Sequence, residues 1–204
     1  MAKPKRTGTQ RAKESSTIKV LLVIGGVALL GAFLAAGGLA FAASREGNDA
    51  FCASCHTQPE STYYERSTAA QPVDLASAHR TKGVRCIDCH SGAGLGGRIQ
   101  AESLGAHNAL AWYTHTALQP AVVTRPIGDD SCLKCHPGVT DSRRGDNHFH
   151  YFLPRWQAVD PHAATCVSCH SGHSTAGSAQ TGYLDPGTTG SVCESCHRAL
   201  GGGD

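Results

Sequence analysis

The sequence predicts a mainly α-helical protein with extensive loop, in which one N-terminal transmembrane helix is followed by a compact head. Three observations predict it. Residues 20–44 carry no charged side chain. All ten cysteines fall in five copies of one short motif, Cys-x-x-Cys-His. The remaining chain, residues 45–204, is dominated by Gly, Ala, Ser and Thr, and aromatic residues make up only 6% of the protein. That head offers few long apolar periodic stretches and no convincing strand.

The N-terminal elements follow from charge and length. Residues 1–19 form a basic tail with Lys3, Lys5, Arg6, Arg11, Lys13 and Lys19 against the single acid Glu14. Residues 20–44 form the anchor; as a helix, Val20–Ala43 is about 36 Å long, enough to cross a hydrocarbon core with some tilt. The basic tail keeps the N-terminus in the cytoplasm and sends residues 45–204 to the periplasmic or extracytoplasmic side. A cleaved signal peptide is the competing reading, since Ala40-Phe41-Ala42 has the small-x-small form of a cleavage site. The apolar run is longer than the usual 7–15 residues of such a segment, which favours an uncleaved anchor. Gly25, Gly26, Gly31, Gly37 and Gly38 give the run small residues but no GxxxG spacing.

The five motifs are Cys52-Ala-Ser-Cys55-His56, Cys86-Ile-Asp-Cys89-His90, Cys132-Leu-Lys-Cys135-His136, Cys166-Val-Ser-Cys169-His170 and Cys193-Glu-Ser-Cys196-His197. Two thiols three residues apart lie on one side of a helical turn, and the histidine that follows is placed to ligate a metal held there. This is the attachment signature of a c-type haem: the thiols form thioethers on one edge of the porphyrin, and the imidazole becomes the proximal ligand. Zinc ribbons take Cys-x-x-Cys pairs two at a time, and five does not divide by two. A disulfide scaffold would show single, irregularly spaced cysteines. The reading is therefore five covalently bound haem c groups with iron, and a cytochrome c head built around them. Their apolar faces supply the core that the polypeptide lacks, so the haem-free chain is expected to be largely unfolded.

Motif spacing divides the head. Cys52 to Cys86 and Cys132 to Cys166 are both 34 residues, and both second motifs are followed by Ser-Gly (Ser91-Gly92, Ser171-Gly172). This suggests two dihaem units, residues 45–92 and 127–173, with a fifth haem at 190–204. The longest spacer holds the best helix candidate, Ile99 to Thr116. A second short helix is expected from Asn147 to Leu153, ended by Pro154. Each motif should open or sit in one helical turn, and residues 174–191 read as loop.

Axial ligation is constrained by composition. The only methionine is Met1, in the cytoplasmic tail, so no haem has His/Met ligation and all are candidates for low potential. Beyond the five proximal histidines (His56, His90, His136, His170, His197) seven remain, enough to close every iron. His79 and His162 each shortly precede a motif and are expected to ligate a haem other than the one they precede. His173 follows the fourth motif. His107 and His115 share the spacer helix, about 80° apart around it. His148 and His150 point apart on a helix, so one of the two is a ligand. The expected distal set is His79, His115, His150, His162 and His173, with His107 and His148 in reserve.

Charge excludes one partner class. Outside the tail the chain carries 12 basic and 15 acidic side chains, and propionates add further negative charge, so nucleic acid is not a partner. The first motif begins eight residues after the apolar run and is expected at the surface of the lipid bilayer.

The order of these features resembles the NapC/NirT family of membrane-anchored multihaem quinol dehydrogenases. The likeness rests on the N-terminal anchor, Phe51-Cys-Ala-Ser-Cys-His56, Ser77-Ala-His79 with Gly83-Val84-Arg85 ahead of Cys86, Trp112-Tyr113-Thr114-His115, and Thr165-Cys-Val-Ser-Cys-His-Ser-Gly-His173. It covers residues 20 to 173. Two departures stand out: Gln58 replaces a methionine common two residues after the first haem's histidine, and the motif at Cys193 adds a fifth haem to the usual four. The resemblance implies electron transfer from membrane quinol through the first haem to an extracytoplasmic reductase or cytochrome partner. Quinol oxidation also needs a proton acceptor near that haem, for which Glu60, Glu65 and Lys82 are candidates, with Tyr63 and Tyr64 as hydrogen-bonding partners. Two other functions compete. One is an electron-relay subunit of a larger respiratory complex or cytochrome chain. The other is a nitrite- or hydroxylamine-type multihaem enzyme, which would need an open iron.

Overall fold

The computed structural model describes residues 8–55, 57–141 and 148–201, with only the backbone described over 8–16. The chain is mainly helical, with no strand among the described residues. It divides into two units, residues 1–46 and residues 47–204. The first is a single helix, α1 (Gly8–Arg45). Its stretch Thr17–Arg45 is long and apolar enough to cross a membrane, with a mean hydropathy of 2.5 over an 18-residue window. Leu22, Leu29 and Phe33 are all exposed, as expected of side chains that have no protein neighbour to pack on. The helix outruns the uncharged segment at its start because Ala, Lys, Glu and Arg in the basic tail are good helix formers.

The second unit is a series of short helices: α2 (Asp49–Cys52), α3 (Glu60–Ser67), α4 (Leu75–Arg80), α5 (Cys86–His90), α6 (Gly94–Tyr113), α7 (Asp129–Leu133), α8 (His148–Gln157), α9 (Cys166–Cys169) and α10 (Pro186–Ala199), with a 3₁₀ turn at Ala179–Thr181. Local capping explains why such short pieces hold. Asp74, 1% exposed, caps α4 by accepting from the Ser77 N–H at 2.8 Å, while Ser77 Oγ accepts from the Asp74 N–H at 3.0 Å. The motif helices α5 and α9 use the same device: the Arg85 N–H donates to Asp88 and the Thr165 N–H to Ser168.

Three expectations need correction. The spacer helix starts at Gly94 rather than Ile99 and ends at Tyr113, so His115 lies beyond it. Its end is a Schellman turn: the Thr116 N–H donates to the Ala111 carbonyl at 2.9 Å and the His115 N–H to the Trp112 carbonyl at 3.0 Å, with His115 itself left-handed at φ 56°. The early start rests on Gly92 and Gly97, whose backbones approach so closely that a Cβ on Gly92 would lie 2.7 Å from the Gly97 carbonyl carbon. The short helix α8 runs through Pro154 to Gln157, because burial of Trp156 (4% exposed) holds the chain on its helical course. Its expected first residue, Asn147, lies outside the described residues. The loop expected over 174–191 gives way to α10 at Pro186, where Asp185 caps the Gly187 N–H at 2.9 Å and proline occupies the first turn. The motifs meet their helices in different ways: Cys86 and Cys166 open α5 and α9, the fifth motif lies inside α10, Cys52 ends α2, and Cys132 lies near the end of α7, where the His136 N–H closes a turn on the Cys132 carbonyl at 3.0 Å.

The apolar core is minimal. Among the described residues only Ala53 and Trp156 are buried hydrophobic side chains, while Asp49, Asp74, Ser77 and Ser131 are buried polar ones. Trp156 Nε1–H donates to Asp160 at 3.0 Å. Replacing Trp156 with Ala is expected to lower stability by about 3–5 kcal/mol, measured by denaturant unfolding.

Candidate functional site

The five motif segments touch one another in chain order: α2 lies against α5, α5 against α7, α7 against α9, and α9 against α10. The cysteines mark the junctions. Cys52 and Cys86 share a hydrogen bond, as do Cys132 and Cys166. That bond pushes the Cys86 and Cys166 thiols far up and draws Cys132 down to about 7. Cys89 sits within the field of Cys132 and Cys135, and Cys169 within that of Cys193. No disulfide joins any of the ten cysteines.

The first and third junctions are built alike. Asp49 Oδ1 accepts the Cys86 N–H at 3.1 Å, and Asp129 Oδ1 accepts the Cys166 N–H at 2.6 Å. Each aspartate is the first residue of the helix that carries the earlier motif, and each lies three residues before that motif's first cysteine. Sequence reasoning missed this pair, although the recurrence of Asp-x-x-Cys at Asp49 and Asp129 signals it. Between these junctions Lys134 Nζ donates to the Asp88 carbonyl at 2.6 Å and the Gly92 carbonyl at 3.1 Å, fastening the third motif to the second. The Arg85 N–H, followed by its guanidinium, holds Asp88 below the usual carboxylate range.

Three motif histidines face a histidine from elsewhere in the chain. The rings of His90 and His173 have centroids 6.3 Å apart and planes 18° apart. Those of His150 and His170 are 6.0 Å apart at 10°, and those of His79 and His136 are 6.2 Å apart at 78°. An imidazole nitrogen bonds a metal at about 2.0–2.1 Å, which puts its ring centroid roughly 3.1 Å from the ion, so two imidazoles on opposite sides of one iron have centroids about 6.2 Å apart. All three pairs have that spacing.

Neighbouring groups set ring orientation. His79 Nδ1–H donates to the Leu75 carbonyl at 2.9 Å, and His170 Nδ1–H to the Gly182 carbonyl at 2.8 Å, which puts the lone pair of each neutral ring on Nε2. Tyr63 stacks on His173 at 3.9 Å and 5°, and Arg66 Nη1 donates to the His173 carbonyl at 3.1 Å. Desolvation lowers the pKa of His90, His150 and His173, with the facing histidine a further cause for the latter two. A neutral imidazole is the form that binds a metal. His150 and His170 both line an open-sided cleft with Phe149, Leu153, Trp156 and Val192, together with cysteines of the fourth and fifth motifs.

The other candidates are placed differently. His148 turns edge-on to Phe149, with centroids 5.0 Å apart. His107 lies on α6, His115 beyond its end, and His162 in the turn before α9, where its N–H donates to Asp160. Among the described residues no ring contact joins His107, His115 or His162 to a motif histidine, and His197, in the last turn of α10, faces none of them. His56 lies outside the described residues. Beside it in sequence, the Gln58 N–H donates to Gln119 Oε1 at 3.2 Å, and the Ala121 N–H to the Gln58 carbonyl at 2.6 Å. Glu60 Oε2 is buried without a hydrogen-bond partner. No family model, no curated protein and no solved structure matches this chain.

Proposed function

We propose that this chain is a membrane-anchored pentahaem c-type cytochrome that passes electrons from membrane quinol to an extracytoplasmic reductase or cytochrome. The observation that carries the reading is the contact of the five motif segments in chain order, combined with three imidazole pairs at the spacing of axial ligands on one iron. The likeness to the NapC/NirT family supports it.

Haem c, attached through Cys52/Cys55, Cys86/Cys89, Cys132/Cys135, Cys166/Cys169 and Cys193/Cys196, supplies one-electron Fe(III)/Fe(II) chemistry when bound. The chain's own residues do the rest. His90 with His173, His136 with His79, and His170 with His150 would hold three of the irons from both sides, and His56 and His197 would hold those of the first and fifth motifs, an arrangement that favours electron transfer over substrate binding. The contacts between neighbouring motifs keep successive attachment sites adjacent. Each quinol yields two electrons and two protons. Glu60, four residues beyond the first motif and with an unpartnered buried oxygen, would accept one of the protons.

The test uses the full-length holoprotein in lipid nanodiscs. Added quinol is expected to reduce the haems, read from their absorbance, and Glu60→Gln is expected to slow that reduction at least tenfold with dithionite reduction unaffected. If dithionite reduces all the haems and quinol reduces none, electrons enter from a protein donor and the quinol reading fails.

A further inference from the structure

The two like-built junctions differ at one position. Asp49 has its second oxygen, Oδ2, 2.6 Å from Arg80 Nη1, an ion pair set off the hydrogen-bond line, and the carboxylate is 4% exposed. Asp129 has its second oxygen 2.6 Å from Gln157 Nε2, and the same amide nitrogen donates to the Ala164 carbonyl at 2.8 Å. Arg80 and Gln157 are counterparts: each is the last residue of the helix (α4, α8) that precedes the second motif of its half and carries a histidine facing a motif histidine. One is a cation and the other a neutral amide.

The surrounding charges sharpen the contrast. At the first junction Asp49 is matched by Arg80, and Asp88 by Arg85 at 3.3 Å, so the four charges cancel. At the third, Asp129 and Asp130 stand together with no ion pair to either among the described residues, and Lys134 has its ammonium turned to the carbonyls of Asp88 and Gly92. Among the described residues the third junction is therefore the more negative. A negative charge beside an iron in a poorly solvated site favours Fe(III) over Fe(II) and lowers the reduction potential.

We infer that the exchange of Arg80 for Gln157 between the two halves is a redox-tuning device: it places the haems of the third and fourth motifs at lower potential than those of the first and second. This rests on the haem reading above and goes beyond it by assigning the order of the two pairs to two residues that touch neither iron nor thioether. Both are positioning residues acting through the aspartate carboxylates.

The experiment is an optical and EPR redox titration of the full-length holoprotein, with haem content checked first by pyridine haemochrome. Gln157→Arg is expected to raise the low-potential part of the titration and leave the high-potential part in place. Arg80→Gln is expected to lower the high-potential part, and Arg80→Lys, which keeps the charge, to leave the curve unchanged. If Arg80→Gln fails to incorporate haem because it leaves Asp49 buried and unpaired, Gln157→Arg and Arg80→Lys still decide the matter. The inference is overturned if Gln157→Arg shifts no midpoint, or if Arg80→Lys moves the curve as far as Arg80→Gln. A wild-type protein without five haems would instead sink the haem reading itself.

Discussion

With all ten motif cysteines replaced by alanine, the head is expected to show no cooperative thermal transition, and its far-UV circular dichroism should keep little helix beyond that of α1. The expectation follows from the small number of buried apolar side chains. Ordering a residue costs about 1–2 kcal/mol of conformational entropy, and a buried hydrophobic side chain returns about 1.5–3 kcal/mol. Among the described residues of the head only Ala53 and Trp156 are buried hydrophobics. The capping contacts of Asp74, Asp185 and Thr165 shape local turns but contribute only about 1 kcal/mol each. Helices as short as α2, α5, α7 and α9, of four or five residues, are far below the length at which a helix is stable alone. Something apolar must be enclosed for them to persist, and the five haems proposed on the motif cysteines would meet that need. A sharp unfolding transition in the all-alanine chain, of the same enthalpy as the wild type, would show that the polypeptide carries the fold unaided.

The parts of this arrangement that were legible in the sequence are those fixed locally. The apolar run announces α1 because charge is absent over one contiguous stretch. The equal 34-residue spacings announce the two like-built junctions because register along the chain is kept in both. What was not legible depends on contacts between distant segments. The left-handed turn at His115 needs the Ala111 and Trp112 carbonyls to be free at the helix end, and nothing in Thr-His-Thr marks that. Pro154 argued for a helix end, but the burial of Trp156 two residues later outweighs the lost hydrogen bond. His79, His150 and His173 were all in the expected distal set, yet only tertiary structure shows which motif histidine each one faces. His115 and His162 entered that set on local context alone, and the described residues place neither beside a motif histidine. The aspartates at 49 and 129 look like ordinary helix-start acids until each is seen to reach a cysteine N–H thirty-seven residues away.

Replacing His173 with Ala is expected to open one iron and to loosen the two halves from each other. His173 follows the fourth motif yet faces His90 of the second, while His79, ahead of the second motif, faces His136 of the third. The two halves thus exchange histidines in both directions. The Ala76 N–H adds a hydrogen bond to the Gly172 carbonyl at 2.9 Å beside the first of these crossings, and Tyr63 and Arg66 clamp His173 from α3. With three of five sites faced by a second imidazole, the reduced wild-type protein is expected to bind at most two carbon monoxide molecules per chain, and His173→Ala one more. EPR separates this from general damage. Near-parallel imidazole planes, as in His90/His173 and His150/His170, give a rhombic low-spin signal, whereas the 78° arrangement of His79 and His136 gives a strongly anisotropic one. The variant should lose one rhombic component to a high-spin signal and retain the anisotropic component. Tyr63→Ala removes the stacking partner but not the ligand, so it should leave carbon monoxide stoichiometry unchanged while weakening the tether. An H173A protein with unchanged carbon monoxide stoichiometry and an unchanged low-spin spectrum would show that His173 does not close the second site. The exchange of ligands between the halves would then have to be abandoned as the reason the two like-built junctions stay in register.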